Sequence, residues 1–499
     1  MRAISLVNRI EFEFNGNVAR NAIALGDLDN DGCNELVVGN DSGSVAIFKG
    51  RKKLKSIPKL SFVACIAIGD ILNDKRNYLV VVTADGWCYI YRALTKSKIQ
   101  EGEEINTEDV DTVDGQVFSG ESTEGIKDDS SSSLKKESEE CEDGEEFLIT
   151  CVHVQRIPAN AKDILLADVN GDGFIEMVLG LTDRVVRSYR WEFNNTAVIN
   201  KSFDSHGEKV SGKLVALNKW ECANQIGSVT LHHTNEGVPC LLVAQPGGTF
   251  MRIKCQNEYT SVQDLENSET STGSSSNDSS SSSLVDYQYL GIARMRNQNI
   301  STEILGDFKT DLDFKTESKE EEEVEIVETT ENGKGRSYAV ATLDGTIMLV
   351  RNEVILWAMA VDHQIFALTK LDVTGNGFDD IVVCSWDGQT YILDKDKNSV
   401  RFHLEQPVQA FSSGHYNLTP NEPDVTCFVY VTFKNTVIIY YDIPLKDLVC
   451  RKFEPDLSIL ATKLANEKKT VDEVKQQVEN LDKNAKKNLV DYLLYNYSS

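Results

Sequence analysis

The chain has 499 residues, of which 41% are apolar, and it carries a formal net charge of −27. A chain of this length can bury a large core in one big domain or several small ones. Binding to nucleic acid or to an anionic membrane requires a basic footprint, so neither partner is expected. No run of 18 apolar residues exists, and Met1 to Phe14 lacks the apolar core of a signal peptide. We therefore expect no membrane insertion and no secretion.

Eleven cysteines are scattered along the chain without Cys-x-x-Cys pairs. Several lie inside apolar runs with the character of strands: Cys65, Cys88, Cys240, Cys384 and Cys427. Buried free thiols in a reducing compartment are favoured over disulfides by this pattern. The expected location is the cytoplasm.

The first predicted element is a strand near the N-terminus. Ile10, Phe12 and Phe14 alternate with Glu11 and Glu13, which is the period of a half-buried strand. If the repeats described below close into a ring, this strand can serve as the outer strand of the last repeat. It would then join the two ends of the chain and cover an exposed sheet edge.

An acidic loop follows, and it occurs three times. The copies read Asp27-Leu-Asp-Asn-Asp-Gly-Cys-Asn-Glu35, Asp168-Val-Asn-Gly-Asp-Gly-Phe-Ile-Glu176 and Asp372-Val-Thr-Gly-Asn-Gly-Phe-Asp-Asp380. Oxygen-bearing side chains stand at positions 1, 3, 5 and 9, as the hard cations calcium and magnesium prefer. An EF-hand is excluded because it needs a glutamate at position 12, where these loops have Val38, Leu179 and Val383. The loops should therefore connect β-strands.

The candidate metal ligands are the side chains at these four positions. They are Asp27, Asp29, Asp31 and Glu35 in the first loop, Asp168, Asn170, Asp172 and Glu176 in the second, and Asp372, Thr374, Asn376 and Asp380 in the third. The number of acids falls from four to three to two, which predicts a falling calcium affinity. The alternative is a tight turn whose carboxylates cap backbone amides without an ion. In either case the loops are expected to be structural. Asp70 and Asp307 open degenerate copies.

A second repeat consists of a tight turn followed by alternating apolar residues. Seven copies occur, beginning at Asp41, Asp85, Asp183, Gly247, Asp344, Asp387 and Lys434. Such turns favour β-hairpins. Undisturbed neighbours are 43 residues apart, as between Gly43 and Gly86, and four-stranded propeller blades have this period. The prediction is an all-β, seven-bladed β-propeller.

Three acidic, serine-containing insertions, at about 101–146, 257–284 and 312–334, interrupt the repeat. Residues 101–146, 257–283 and 316–331 together account for the whole net charge. Segments of this composition cannot bury enough apolar surface to fold, so disordered loops are expected. Phosphorylation or partner docking is the functional alternative.

The propeller is predicted to span residues 1–445, and a C-terminal extension spans 446–499. Thr470 and Glu473 form a possible capping box, and apolar residues follow at helical spacing. A helix is therefore expected at about 470–495. It could dock on the propeller, bind a partner or fray.

Enzyme signatures are missing from the sequence. It contains no P-loop, nucleophile elbow or dinucleotide fingerprint, and His232, His233 and His363 are better explained as structural residues. The expectation is a non-catalytic protein. A propeller enzyme or a small-molecule binder that uses the central channel is the alternative.

A propeller with Asp-x-Asp-x-Asp-Gly loops resembles the FG-GAP repeats of integrin α-chains. The closer resemblance is to the family of integrin-alpha FG-GAP repeat-containing protein two. It rests on five motifs: Gly26–Asp31, Thr182–Arg187, Val361–Phe366, Leu371–Gly377 and Trp386–Tyr391. It covers residues 1–442 outside the insertions. The Phe-Gly and Gly-Ala-Pro signatures of integrin repeats are absent, so integrin-type ligand binding is not implied.

This resemblance implies a scaffold subunit of a KICSTOR-like complex at the lysosomal surface. Such a complex would recruit the GATOR GTPase-activating assembly and restrain TOR signalling when amino acids are scarce. The implied partners are the very large scaffold subunit of the complex and kaptin, and through them GATOR.

Overall fold

The computed structural model describes residues 2–95, 147–194, 211–255, 285–289, 299–309, 336–419 and 422–443, and most of 445–449 and 476–495. The insertions predicted at 101–146, 257–284 and 312–334 lie outside these residues. Contacts divide the chain into two compact units, Met1–Leu448 and Val449–Ser499. The boundary expected from the sequence was 445/446.

Seven sheets make up the first unit, and each contains one blade of four antiparallel strands; one of the sheets has a fifth strand at its edge. Blade 1 contains β3 (Ile23–Gly26), β4 (Glu35–Gly39), β5 (Val45–Lys49) and β6 (Lys52–Ile57). Blade 2 contains β7 (Val63–Gly69), β8 (Tyr78–Thr83), β9 (Trp87–Thr95) and β10 (Phe147–Arg156). Blade 3 contains β11 (Ala161–Ala167), β12 (Glu176–Leu181), β13 (Val185–Phe193) and β14 (Gly212–Glu221). Blade 4 contains β15 (Val229–His233), β16 (Pro239–Gln245), β17 (Thr249–Ile253) and β18 (Val285–Tyr289). Blade 5 contains β19 (Thr302–Phe308), β20 (Ser337–Thr342), β21 (Thr346–Arg351) and β22 (Val354–Ala360). Blade 6 contains β23 (Ile365–Leu371), β24 (Asp380–Ser385), β25 (Gln389–Leu393) and β26 (Ser399–His403), and blade 7 contains β27 (Val408–Tyr416), β28 (Val425–Thr432) and β29 (Thr436–Tyr441).

The N-terminus completes blade 7, as the alternating pattern predicted. Strand β2 (Arg9–Glu13) pairs antiparallel with β29, and Ile10 lies opposite Ile439. A short strand, β1 (Arg2–Ala3), adds in parallel to the outer edge of β26. The first strand of each blade contacts that of the next blade, and β27 contacts β3, so the ring is closed. The seven-bladed prediction is confirmed.

Burial follows from the position of each strand within its blade. Every residue of β4, β8, β12, β20 and β24 is buried, because neighbouring blades cover both faces of these strands. This explains why the second strand of a blade is a continuous apolar run instead of an alternating one. The predicted turns join the second and third strands of all seven blades.

The second unit contains helix α1 (Lys483–Tyr495) among its described residues. Its first turn is capped by Asp482, whose carboxylate accepts a hydrogen bond from the amide of Ala485 at 2.7 Å. This is the N-cap geometry. The capping box proposed at Thr470 lies outside the described residues, and 480–482 are not helical.

Candidate functional site: the acidic loops and the central channel

The three acidic loops lie at equivalent positions, between the first and second strands of blades 1, 3 and 6. In the first loop, Asp27 accepts hydrogen bonds from the amides of Asp31 and Gly32, both at 3.0 Å. Glu35 accepts one from the amide of Leu28 at 2.8 Å. The acids at positions 1 and 9 therefore hold the backbone of the turn.

The other two loops repeat both hydrogen bonds. The pairs are Asp168 with Gly173 at 2.8 Å, Glu176 with Val169 at 3.1 Å, Asp372 with Gly377 at 2.7 Å and Asp380 with Val373 at 3.1 Å. Capping of amides by acidic side chains is thus common to all three loops. The question that distinguishes them is what neutralises the charge of the acids.

In the first loop a lysine provides the neutralising charge. Nζ of Lys49 lies 2.8 Å from Oδ2 of Asp29, 2.6 Å from Oδ2 of Asp31 and 2.8 Å from Oε1 of Glu35. Burial alone would lower the pKa of Lys49, but Glu35 and the two aspartates outweigh it and raise the pKa. Carboxylate oxygens of Asp27, Asp29 and Glu35 lie within 4.8 Å of one another, which suits a cation. The ammonium group of Lys49 already lies among three of the four expected ligands.

In the second loop an arginine has this role. Nη2 of Arg190 lies 2.6 Å from Oδ2 of Asp172, and its Nε donates to Oε1 of Glu176 at 2.8 Å. The guanidinium also stacks 5.4 Å from the ring centre of Phe174. The charge-assisted bonds to a buried glutamate make this a strong interaction.

The third loop has an acid where the other two have a base. Asp394 follows Leu393, which pairs with Ile381, so Asp394 stands opposite Asp380. Burial raises the pKa of Asp380 to about 7; the amides of Val373 and Thr374 oppose the rise, and Asp372 and Asp394 add to it. Within the described residues, no ion pair reaches Asp380 or Asp394.

A simple sequence signal could have found these three residues. Lys49, Arg190 and Asp394 each stand 14 positions after the last acid of their loop. The spacing is constant because the second and third strands pair in the same register in blades 1, 3 and 6. Ranking the loops by acid count leaves this residue out. When it is included, the third loop differs from the other two, because it has no basic side chain at this position.

The degenerate loop copy at Asp307 joins blades 4 and 5. Asp307 accepts hydrogen bonds from the amide of His233 at 2.7 Å and from its ring Nδ1 at 2.5 Å. Burial alone would raise the pKa of Asp307, but the bonds from His232 and His233 outweigh it and lower the pKa. His363 similarly contacts Asp387 at 2.6 Å. The three histidines therefore hold aspartates in place.

The mouth of the central channel is crossed by the segment that precedes β3. Arg20 binds both carboxylate oxygens of Glu303 in blade 5, at 2.6 and 2.8 Å, and the carbonyl of Phe366 in blade 6 at 2.8 Å. Asn21 donates to Asp163 in blade 3 at 2.9 Å. The adjoining space measures about 210 Å³. A short polar segment thus ties the first strands of blades 3, 5 and 6 together.

The closed ring of seven blades with Asp-rich loops between first and second strands defines the class of FG-GAP β-propellers. Residues 19–48 match the FG-GAP repeat itself. Residues 49–445 match the family described as integrin-alpha FG-GAP repeat-containing protein 2. The chain belongs to this family.

Two relatives carry the name KICSTOR complex protein ITFG2. The protein from Mus musculus is 34% identical over 89% of this chain and 86% of its own length. The protein from Bos taurus is 33% identical over 89% of this chain and 72% of its own length. Among solved structures, BBS1N in complex with ARL6DN, soaked with lead, matches with a TM-score of 0.49 and 12% identity, over 89% of this chain and 98% of that one. No helix within the described residues is long and apolar enough to cross a membrane.

Proposed function

We propose that this protein is a non-catalytic scaffold subunit of a KICSTOR-like complex. The observation that carries the proposal is the 34% identity, across 89% of the chain, to a relative named as a KICSTOR complex protein. Identity of this extent covers the whole ring and not one repeat. A role that depends on the assembled propeller surface is the simplest function to share over such a length.

The roles of the charged groups support a scaffold. Lys49, Arg190 and Arg20 each bind acids within the fold. A catalytic group must instead reach a substrate in an accessible cleft. The segment across the channel mouth further disfavours the alternative of a channel enzyme or channel ligand.

In this function the propeller binds the very large scaffold subunit and kaptin, and through them the GATOR GTPase-activating assembly. The complex sits peripherally at the lysosomal surface, and its action restrains TOR signalling when amino acids are scarce. The chain contributes binding surfaces, and it reaches the membrane only through its partners.

Affinity purification of the tagged full chain from cells tests the proposal. The expected result is co-purification of KICSTOR subunits, with GATOR subunits recovered in smaller amounts. A matched control is a chain without residues 1–14, because opening the ring should reduce recovery. Recovery of no KICSTOR subunit by the intact chain would refute complex membership.

A second measurement, in cells that lack the protein, tests its role in GATOR recruitment and TOR signalling. Re-expression of the protein should restore the localisation of GATOR to lysosomes. It should also restore the decrease in phosphorylation of TOR substrates when amino acids are withdrawn. If the complex forms without either effect, the protein is a scaffold subunit but does not act through GATOR localisation and TOR signalling.

A further inference from the structure

A polar cleft of about 500 Å³ lies between blades 4 and 5. One wall is the loop between β15 and β16, which includes Glu236, together with Arg252 and Lys254 at the end of β17. The other wall is Tyr338 on β20 and the turn Asn352–Glu353. The β15–β16 loop joins the first and second strands of its blade, as the acidic loops do, and the turn Asn352–Glu353 joins the third and fourth strands. In an antiparallel blade both connections lie on the same side of the ring. The cleft is separate from the central channel.

Two donors in this cleft lack partners. The hydroxyl of Tyr338 and Nε of Arg252 are buried, and neither has a hydrogen-bond partner among the described residues. Tyr338 is only 1% exposed, and burial raises the pKa of its hydroxyl, so it remains a proton donor. A buried donor without an acceptor costs about 1–3 kcal/mol. Such groups in a native fold call for a specific explanation.

The surroundings hold both donors in place. The ring of Tyr338 packs edge-on against Phe250 and His232, with centroids 5.5 and 5.4 Å apart. Nη1 of Arg252 is bound to Glu353 at 2.9 Å. The guanidinium is therefore fixed, and its Nε is left for a third group.

Glu353 reaches Arg252 from a strained backbone. Asn352 and Glu353 form the two-residue turn between β21 and β22, with φ of +48° and +66°. Asparagine tolerates this left-handed conformation, but glutamate does so only at a cost. Strain of this kind is often retained at binding sites. In this turn it places the carboxylate that orients Arg252.

We propose that this cleft binds a small molecule through an anionic oxygen, from a carboxylate or a phosphate group. The oxygen accepts hydrogen bonds from Tyr338 Oη and Arg252 Nε, and Lys254 adds positive charge from the same wall. Two fixed donors and a nearby ammonium match the acceptor chemistry of such a group. The volume suits a small ligand. This inference goes beyond the scaffold role, since a purified chain can bind a ligand whether or not it assembles with partners.

The test is a titration of the purified full chain with sodium phosphate and, separately, with sodium acetate. Ionic strength is held constant with sodium chloride, and binding is followed by melting temperature and calorimetry. We expect a saturable rise in melting temperature with at least one anion, and the effective anion identifies the class of ligand. In Tyr338→Phe the affinity should fall about tenfold, and the melting temperature without ligand should stay the same or rise, because the unpartnered hydroxyl is gone.

Tyr416→Phe is the matched control. Its hydroxyl is also buried, but it donates to the carbonyl of Gly50 at 2.8 Å, so this variant should lose stability and keep the anion response. Arg252→Lys, which preserves the charge but removes Nε, should weaken binding. The proposal is overturned if neither anion gives a saturable response. It is also overturned if Tyr338→Phe binds as tightly as the unmodified chain, since an ordered water would then account for both donors.

Discussion

Lys49 and Glu35 face each other across the hairpin of β4 and β5 in blade 1, with Nζ 2.8 Å from Oε1. Neither residue is informative alone, since Glu35 belongs to an apparent calcium loop and Lys49 ends a strand. Together they show that this loop contains its own cation. The same relationship recurs between Glu176 and Arg190, and it is replaced in blade 6 by two acids.

Replacing Lys49 tests how much its positive charge stabilises the first loop. In Lys49→Met the carboxylates of Asp29, Asp31 and Glu35 remain together without a counter-charge. Breaking a buried ion pair by removing one partner costs about 3–5 kcal/mol, so the free energy of unfolding should fall by about that amount in urea denaturation. An unchanged value would show that the lysine is not needed.

Calcium titration should distinguish the three loops. Calorimetry of the intact chain should give one bound ion, at the third loop, because Lys49 and Arg190 occupy the other two. Asp394→Asn should abolish it, and Lys49→Met should add a second ion at the first loop. Three ions in the intact chain would mean that both basic side chains move aside, and none would mean that all three loops are metal-free turns.

The ion pair across the channel mouth should contribute strongly to stability. Arg20 and Glu303 are both mostly buried, at 22% and 9% side-chain exposure. Arg20→Met should therefore destabilise the propeller by about 3–5 kcal/mol, measured by urea denaturation. The control is Arg9→Met, whose pair with Glu11 is exposed and is worth about 1 kcal/mol or less. Equal losses in the two variants would contradict the assigned role of Arg20.

The closing strand can be tested by deletion. Removing residues 1–14 exposes the edge of β29 and loses the buried side chains of Ile10 and Phe14. At about 1.5–3 kcal/mol for each buried apolar side chain, the melting temperature of the whole propeller should decrease. Removing only residues 1–3 takes away β1 and should have little effect. An intact melting temperature after the longer deletion would show that the ring closes without β2.

The buried thiols should resist alkylation until the protein unfolds. Burial raises the pKa of Cys88, Cys384 and Cys427 to about 12, above the ordinary 9.0. Iodoacetamide at pH 8 should spare these sites in the native protein and modify them in urea, as mass spectrometry of each peptide would show. Since the folded pKa is the higher one, their contribution to stability is complete below pH 9 and declines as pH rises from 9 towards 12. Rapid native modification would place them nearer the surface than the structure does.

The sequence by itself determined the architecture, because the signals concerned are local. Apolar runs, tight turns and a 43-residue period predict blades, and the alternation at Ile10 to Phe14 predicts the closing strand. The acidic loops were identified for the same reason: nine consecutive residues contain the whole turn.

Only the tertiary structure decided what those loops hold and where other groups meet. Lys49 and Arg190 lie on the neighbouring strand and Asp394 directly follows it. Arg20 meets Glu303 across 283 residues of chain. Tyr338 and Arg252 share a cleft because blades 4 and 5 pack side by side. The charge of an acidic loop depends on every side chain within a few ångströms, and ring closure, which a local pattern does not encode, brings distant residues to that distance.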